Sequence, residues 1–224
     1  MPGRPRAAPA TRRAAPLLVS LTVGLAALLA AARPAAATFN RFLTAQALPV
    51  GRWEAGLAGG AGDFEPDYVA GHLEARYGLY LNLEVGARAG ALHLDRPDRP
   101  ALAPLVGLDA KVQVLRESID IPFDVGVDLA WTAAFPEGGT YSDLAFAALF
   151  SGGLPVESRV ARWLVPYAGI ELVFLSGSAR PLADDSALFG LVGGALRAGP
   201  RLTVIPELKI GRDPVYGLAL RYRF

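Results

Sequence analysis

The chain has 224 residues, a formal net charge of +1, 25 glycines and no cysteine. The near-neutral balance excludes the basic footprint of a nucleic-acid binder. The missing cysteines exclude a disulfide framework, a thiolate metal site and a lipid-modified cysteine, and no motif calls for a metal or a cofactor.

Arg4, Arg6, Arg12 and Arg13 open the chain, and an uncharged run of 16 residues follows from Leu17 to Ala32. Then comes "RPAAA", with Ala35 and Ala37 at the two small positions of an A-x-A site. Basic, apolar, then small is the layout of a secretory signal peptide, here cleaved ahead of Thr38. The apolar run falls short of the ~20 residues that a membrane-spanning helix needs. Arg12-Arg13 is followed by "AAP" and not by apolar residues, so a Sec-type route is expected in preference to the twin-arginine one. Residues 38–224 are read as one domain.

Ten segments with a period of two follow, at 50–58, 68–77, 79–92, 102–115, 121–135, 142–152, 163–175, 186–197, 201–211 and 214–224. Clusters such as "GGAGDFEPD", "RPDRPA", "PEGGTYS" and "SGSARPLADD" separate them and carry the residues of turns. Within the segments the charges keep one parity. Arg52 and Glu54 oppose Trp53 and Leu57; His72, Glu74 and Arg76 oppose Leu73 and Tyr77; Glu84 and Arg88 oppose Leu83 and Val85. Asp109 and Lys111 oppose Leu108 and Val112, and Asp124 and Asp128 oppose Val125, Val127 and Leu129. Glu207 and Lys209 oppose Leu208 and Ile210, and Arg221 and Arg223 oppose Leu220 and Tyr222. Segments 142–152 and 186–197 are apolar on both faces. Pro104, Pro166 and Pro206 predict bulges or irregular pairing, because each removes a ladder donor.

Two architectures use such strands. A soluble sandwich or lipocalin-like barrel turns the apolar face inward, whereas a membrane barrel turns it to lipid and encloses the charges. The polar face is rich in small residues, among them Gly56, Ala58, Gly86, Gly107, Gly126 and Gly217, which suits the crowded inside of a narrow barrel. The large aromatics of the apolar face, including Tyr77, Trp131, Phe135 and Phe174, sit near segment ends, where interfacial girdles belong.

The last residues, "PVYGLALRYRF", place Tyr216, Leu218, Leu220, Tyr222 and a terminal Phe224 on one strand face. This pattern resembles the C-terminal insertion signal of bacterial outer-membrane β-barrel proteins. The resemblance spans the plan of the chain, from signal peptide through alternating strands to the last residue. It implies an all-β, closed antiparallel transmembrane barrel in the outer membrane. Lipid and lipopolysaccharide would be its surroundings, and the barrel-assembly machinery would read the terminal strand. Ten strands fit the segments, with eight as the alternative.

The predicted lumen holds seven cations (Arg52, Arg76, Arg88, Lys111, Lys209, Arg221, Arg223) and eight acids (Glu54, Glu74, Glu84, Asp109, Asp124, Asp128, Glu171, Glu207), with His72 beside them. Such balance favours cross-strand ion pairs filling a narrow interior over a charge-selective pore; charges solvating a water-filled lumen are the competing reading. A three-residue loop at 213–215 would set Glu207 opposite Arg221. No loop is long enough to form a plug domain. Passage or binding of small solutes is then one expectation. A non-conducting structural, lipid-binding or partner-binding role is the other, with a soluble lipocalin-like binder behind both. "LHLDRPDRP" places His93, Asp95 and Asp98 at a rim, as in the omptin outer-membrane proteases, but the chain is short for that family. Neither His72 nor His93 begins the His-x-Ser arrangement of lipid A deacylases. No catalysis is expected. The glycines of "GLAGGAG" and "GLVGGALRAG" lack the following helix that a phosphate loop requires.

Overall fold

In the computed structural model, residues 39–62, 67–95, 101–137, 139–156, 163–178, 185–211 and 214–224 are described. The signal peptide, its cleavage residues Ala35, Ala37 and Thr38, and the loop residues Asp98 and Asp184 lie outside them.

The strands are β1 (Trp53–Gly62), β2 (Tyr68–Tyr80), β3 (Leu83–Leu94), β4 (Ala101–Leu115), β5 (Asp124–Ala134), β6 (Tyr141–Ser151), β7 (Leu154–Pro155), β8 (Trp163–Gly177), β9 (Asp185–Arg197), β10 (Leu202–Ile210) and β11 (Val215–Arg223). Neighbours pair antiparallel in chain order, β1 pairs with β11, and β6 pairs with β8. The sheet therefore closes on itself as ten long strands, and the two-residue β7 extends the edge of β8. The ten run from 9 to 15 residues, enough to cross a bilayer when tilted. Closure leaves no sheet edge, the one arrangement of strands that hydrocarbon tolerates.

The parity of the sequence becomes inside and outside. Leu57, Leu73, Leu102, Leu108, Val127, Leu144, Phe146 and Leu218 are exposed on the outer face, while the charges assigned to the lumen from Glu54 to Arg221 are buried, and Arg197 is half-buried. At the end holding both Trp53 and Phe224, here the near end, Trp53 stacks on Tyr77 at 4.5 Å between ring centroids and Tyr222 meets Phe224 at 5.2 Å. Toward the far end Trp131, Phe135, Phe174 and Tyr216 face outward. The two segments that resist phasing do so because both faces carry large apolar residues: Tyr141 and Leu149 of β6 and Phe189 and Leu191 of β9 are buried inside. In β6 Leu144, Phe146 and Phe150 point out, and Asp143, Ala145, Ala147 and Ser151 point in.

Three expectations change. First, the glycine-rich stretch after Leu57 is strand and not turn: Gly59, Gly60, Ala61 and Gly62 pair with both β2 and β11. Second, the prolines cause no register shift. Pro104 faces Ala91, Pro166 faces Gly194 and Pro206 faces Leu218 in continuous registers, and only the Ile205–Pro206 step drops out of the β9–β10 ladder. Half of a strand's N–H groups point to each neighbour, so a missing donor interrupts one side alone. The bulges fall instead at Gly78/Tyr80 and Gln113/Leu115. Third, the β10–β11 hairpin turns earlier than a loop at 213–215 would allow. Lys209 faces Val215 and Glu207 faces Gly217, so Arg221 lies opposite Thr203 and not Glu207.

The largest difference is inside. Residues 39–48 do not precede the barrel; they run through it. The segment runs from the far end to the near end and reverses into β1 at Pro49–Arg52, where the Arg52 N–H donates to the Pro49 carbonyl (3.1 Å) and Gly51 adopts φ +76°. That is a turn with glycine at the position requiring positive φ. Read back from this turn, the segment lines the interior: Leu48, Ala45, Leu43, Phe42, Arg41, Asn40 and Phe39 are all buried, ending among Tyr68, Tyr141 and their neighbours at the far end. Lumen glycines make the room. A Cβ on Gly126 would lie 2.8 Å from the Ala45 carbonyl oxygen, and one on Gly217 would lie 2.6 Å from both Asn40 and Phe42.

This packing makes a prediction. Gly126→Leu should destabilise the folded protein by about 1–3 kcal/mol through overpacking, measured by urea unfolding in lipid vesicles. Gly71→Leu, on the outer face with open space around it, should leave the midpoint nearly unchanged.

Candidate functional site: a filled lumen

A peptide buried in a barrel brings its backbone N–H and C=O groups out of water, and each needs a partner. The lumen side chains provide them. The Arg41 and Phe42 N–H groups donate to the two oxygens of Glu207, both at 2.8 Å, and Phe42 has φ +54°. The left-handed kink costs a non-glycine residue about 1 kcal/mol, and it folds two successive N–H groups into a concave anion nest. Asn40 Nδ2 (3.1 Å) and the Tyr167 hydroxyl (2.8 Å) also donate to Glu207, so one carboxylate accepts four hydrogen bonds. Further along, the Ala45 N–H donates to Ser151 Oγ, the Ala47 N–H to Gln113 Oε1 and the Leu48 N–H to Glu84 Oε2. In return Lys209 donates to the Phe39 carbonyl, Arg88 to that of Asn40, and Lys111 to those of Thr44 and Gln46.

Arg41 is the central charge that the threaded segment carries. Its guanidinium donates to Glu171 (2.8 Å), Asp143 (3.2 Å) and Thr132 Oγ1 (3.2 Å), three side chains from β8, β6 and β5. Lys209 joins Glu171 from the other side at 2.5 Å. A second network lies nearer the near end. Arg76 bridges Glu84 and Asp109, Arg88 reaches Asp109 (3.1 Å), and Lys111 reaches Glu84 (3.2 Å). Arg221 pairs with Glu74 (2.5 Å) and Arg223 with Glu54 (2.6 Å), the former across the strand between them and the latter across the closing seam.

Of the residues assigned to the lumen from the sequence, all but Arg52 and Arg223 are buried inside the barrel. Arg223 is partly exposed at the near end, and Arg52 is exposed because it belongs to the reversing turn and not to β1. His72 is buried beside Phe42 (6.4 Å between ring centroids), and neither ring nitrogen has a hydrogen-bond partner among the described residues. Asp128 faces Lys111 in register, with one carboxylate oxygen unpartnered among the described residues. Sequence reasoning missed Asn40, Arg41, Asp143, Thr132 and Tyr167. Asp143 shares the parity of the small residues of β6, a usable signal. The threaded segment had only the odd composition of "FNRFLTAQAL", two phenylalanines enclosing an Arg and an Asn.

The lumen is layered. At the far end it is apolar, where Phe39 packs with Tyr68, Leu92, Leu94, Leu105, Tyr141 and Phe189. The charged networks fill the middle. At the near end a cavity of about 570 Å³ opens outward, floored by Thr44, Gln46 and Ala47 of the threaded segment. His93 and Asp95 stand exposed at the far end, outside all three layers. Among the described residues, no group of three or more His, Asp or Glu converges as metal ligands.

No protein-family model matches the chain, and no curated protein matches it either. Solved structures with a similar arrangement include the N-terminal β-barrel domain of Pseudomonas aeruginosa OprF, with 14% identity over 79% of this chain and 100% of that one, TM-score 0.34. Another is Ail, the attachment invasion locus protein of Yersinia pestis, in complex with the heparin analogue sucrose octasulfate, with 13% identity over 78% and 99%, TM-score 0.25. At these scores neither likeness bears on the site.

Removing Arg41 tests the network. Arg41→Ala leaves the buried Asp143 without its cation and Glu171 with Lys209 alone, and a loss of about 3–5 kcal/mol is expected in urea unfolding of the vesicle-inserted protein; Arg52→Ala, at the exposed turn, should shift stability by less than about 0.5 kcal/mol. In its own geometry the chain is a closed β-barrel: ten antiparallel strands in a ring, apolar toward the outside and ionised within.

Proposed function

We propose that this is an integral outer-membrane protein whose barrel does not conduct, because its own N-terminal segment seals the lumen. The observation that carries the reading is the burial of residues 39–48 along the barrel interior, capped at the far end by the apolar cluster around Phe39. An ion pathway needs a continuous polar, hydrated route. Here the middle is occupied by a hydrogen-bonded peptide and the far third is hydrocarbon-like. The outward apolar belt and its aromatic ends support a lipid environment. The inward charges disfavour the lipocalin-like alternative, which requires them in water.

In this reading the strand ending Tyr216, Leu218, Leu220, Tyr222 and Phe224 is what the assembly machinery engages during insertion, after export on a Sec-type signal. The near end, which holds both Trp53 and Phe224, faces the periplasm, and lipid and lipopolysaccharide surround the belt. Catalysis has no place in it: His93 and Asp95 project from the outer face of the far rim.

Planar-bilayer recording tests the seal. The mature protein should give no stable channels, and a chain lacking residues 39–48 should open a continuous ionic current. Large, stable channels from the intact protein would overturn the reading.

A further inference from the structure

The near-end cavity is lined by five cations and four acids. About 570 Å³ in volume, it is within the range of small-molecule sites. Three of the acids are closely engaged, whereas the exposed Glu117 accepts a long hydrogen bond, 3.5 Å, from the Gly153 N–H. Glu84 accepts from Arg76, Lys111 and the Leu48 N–H; Asp124 accepts from Gln46, Gln113 and the Glu117 N–H. Glu54 is held by Arg223 through Nε (2.8 Å) and Nη2 (2.6 Å), both on the same carboxylate oxygen. Lys111 and Arg221 are likewise matched, to Glu84 and Glu74.

Arg116 is exposed and donates to the Leu81 carbonyl (3.2 Å); Arg197, at the end of β9, also lacks an acidic match among the described residues. It is half-buried in the cavity wall, and its hydrogen bond among the described residues is to a neutral acceptor, Gln46 Oε1, at 3.3 Å. Arg223 and Glu54 line the same mouth, where that carboxylate is paired with Arg223 and the Arg197 guanidinium has no acidic partner among the described residues. A guanidinium fork with spare donors selects flat, doubly accepting oxyanions.

We propose that this cavity is a binding site for a small oxyanion, a carboxylate or a phosphate, held between Arg197 and Arg223 above the floor made by Gln46. The proposal rests on the threaded segment being in place, because that segment provides the floor. The site opens at the same end as the chain's Phe224, so its ligand arrives from the periplasmic side and leaves by the same mouth.

Calorimetric titration of the full mature protein in detergent micelles tests it, with succinate, inorganic phosphate and the neutral succinamide as probes. At least one of the two anions should bind saturably with a Kd below about 1 mM, and succinamide should not. The stronger of the two identifies the oxyanion class. Arg197→Gln should weaken that binding about tenfold or more, and Arg197→Lys should restore part of it, because charge survives while the fork is lost. Heat-modifiable migration on gels confirms that each variant is folded; the contact to Gln46 is single, so folding should persist. Absence of saturable anion binding, or binding indifferent to Arg197→Gln, overturns the proposal. Bilayer recording of the same preparation reports the seal separately, so a silent barrel that binds neither anion defeats this inference alone.

Discussion

A chain segment can lie inside a barrel only if its backbone is hydrogen-bonded there. Glu207 shows how the requirement is met, gathering the N–H groups of Arg41 and Phe42, the Asn40 amide and the Tyr167 hydroxyl on one carboxylate. The other inward groups follow the same logic. Lys209, Arg88 and Lys111 reach carbonyls; Ser151, Gln113 and Glu84 take N–H groups. The ionised interior is thus more than a filling of mutual ion pairs. It is the complement of a particular peptide. Buried ion pairs gain little stability over well-packed apolar groups, but they penalise any arrangement that leaves one partner alone. A lumen built this way holds a single threading of residues 39–48 and disfavours slipped ones.

The barrel wall was legible in the sequence because an apolar outside and a polar inside impose a period of two on a strand. That the charges from Glu54 to Arg221 share one face follows from parity. That the face turns inward followed from its small residues, the aromatic segment ends and the terminal strand, and the outward position of the terminal Tyr216-to-Phe224 face followed with it. Ten strands, with eight as the alternative, came from the count of segments. Where the lumen becomes apolar, the alternation fades. Leu92, Leu94, Leu105 and Phe189 point inward at the far end, and β9 therefore read as apolar on both faces.

What was not legible has specific physical causes. Residues 39–48 pair with no strand, so no periodicity marks them; their order comes from side chains scattered over β3, β4, β5, β6, β8, β9 and β10. The run Gly59-Gly60-Ala61-Gly62 carries turn composition, yet Gly60 is small because a Cβ there would lie 2.6 Å from the Asn40 side-chain oxygen. The β10–β11 register depended on which residues form the loop, and a two-position error in its centre moved Glu207 from Arg221 to Gly217. The glycines on the polar face were rightly read as a sign of crowding, although what crowds them is a threaded backbone as well as neighbouring side chains.

The account stands on the threaded segment being part of the folded protein. Amide hydrogen exchange of the mature protein in lipid measures this directly. The N–H groups of Arg41, Phe42, Ala45, Ala47 and Leu48 should be protected to the degree of the barrel strands themselves. Exchange of those amides at the rate of a free peptide, with the strands still protected, would contradict it.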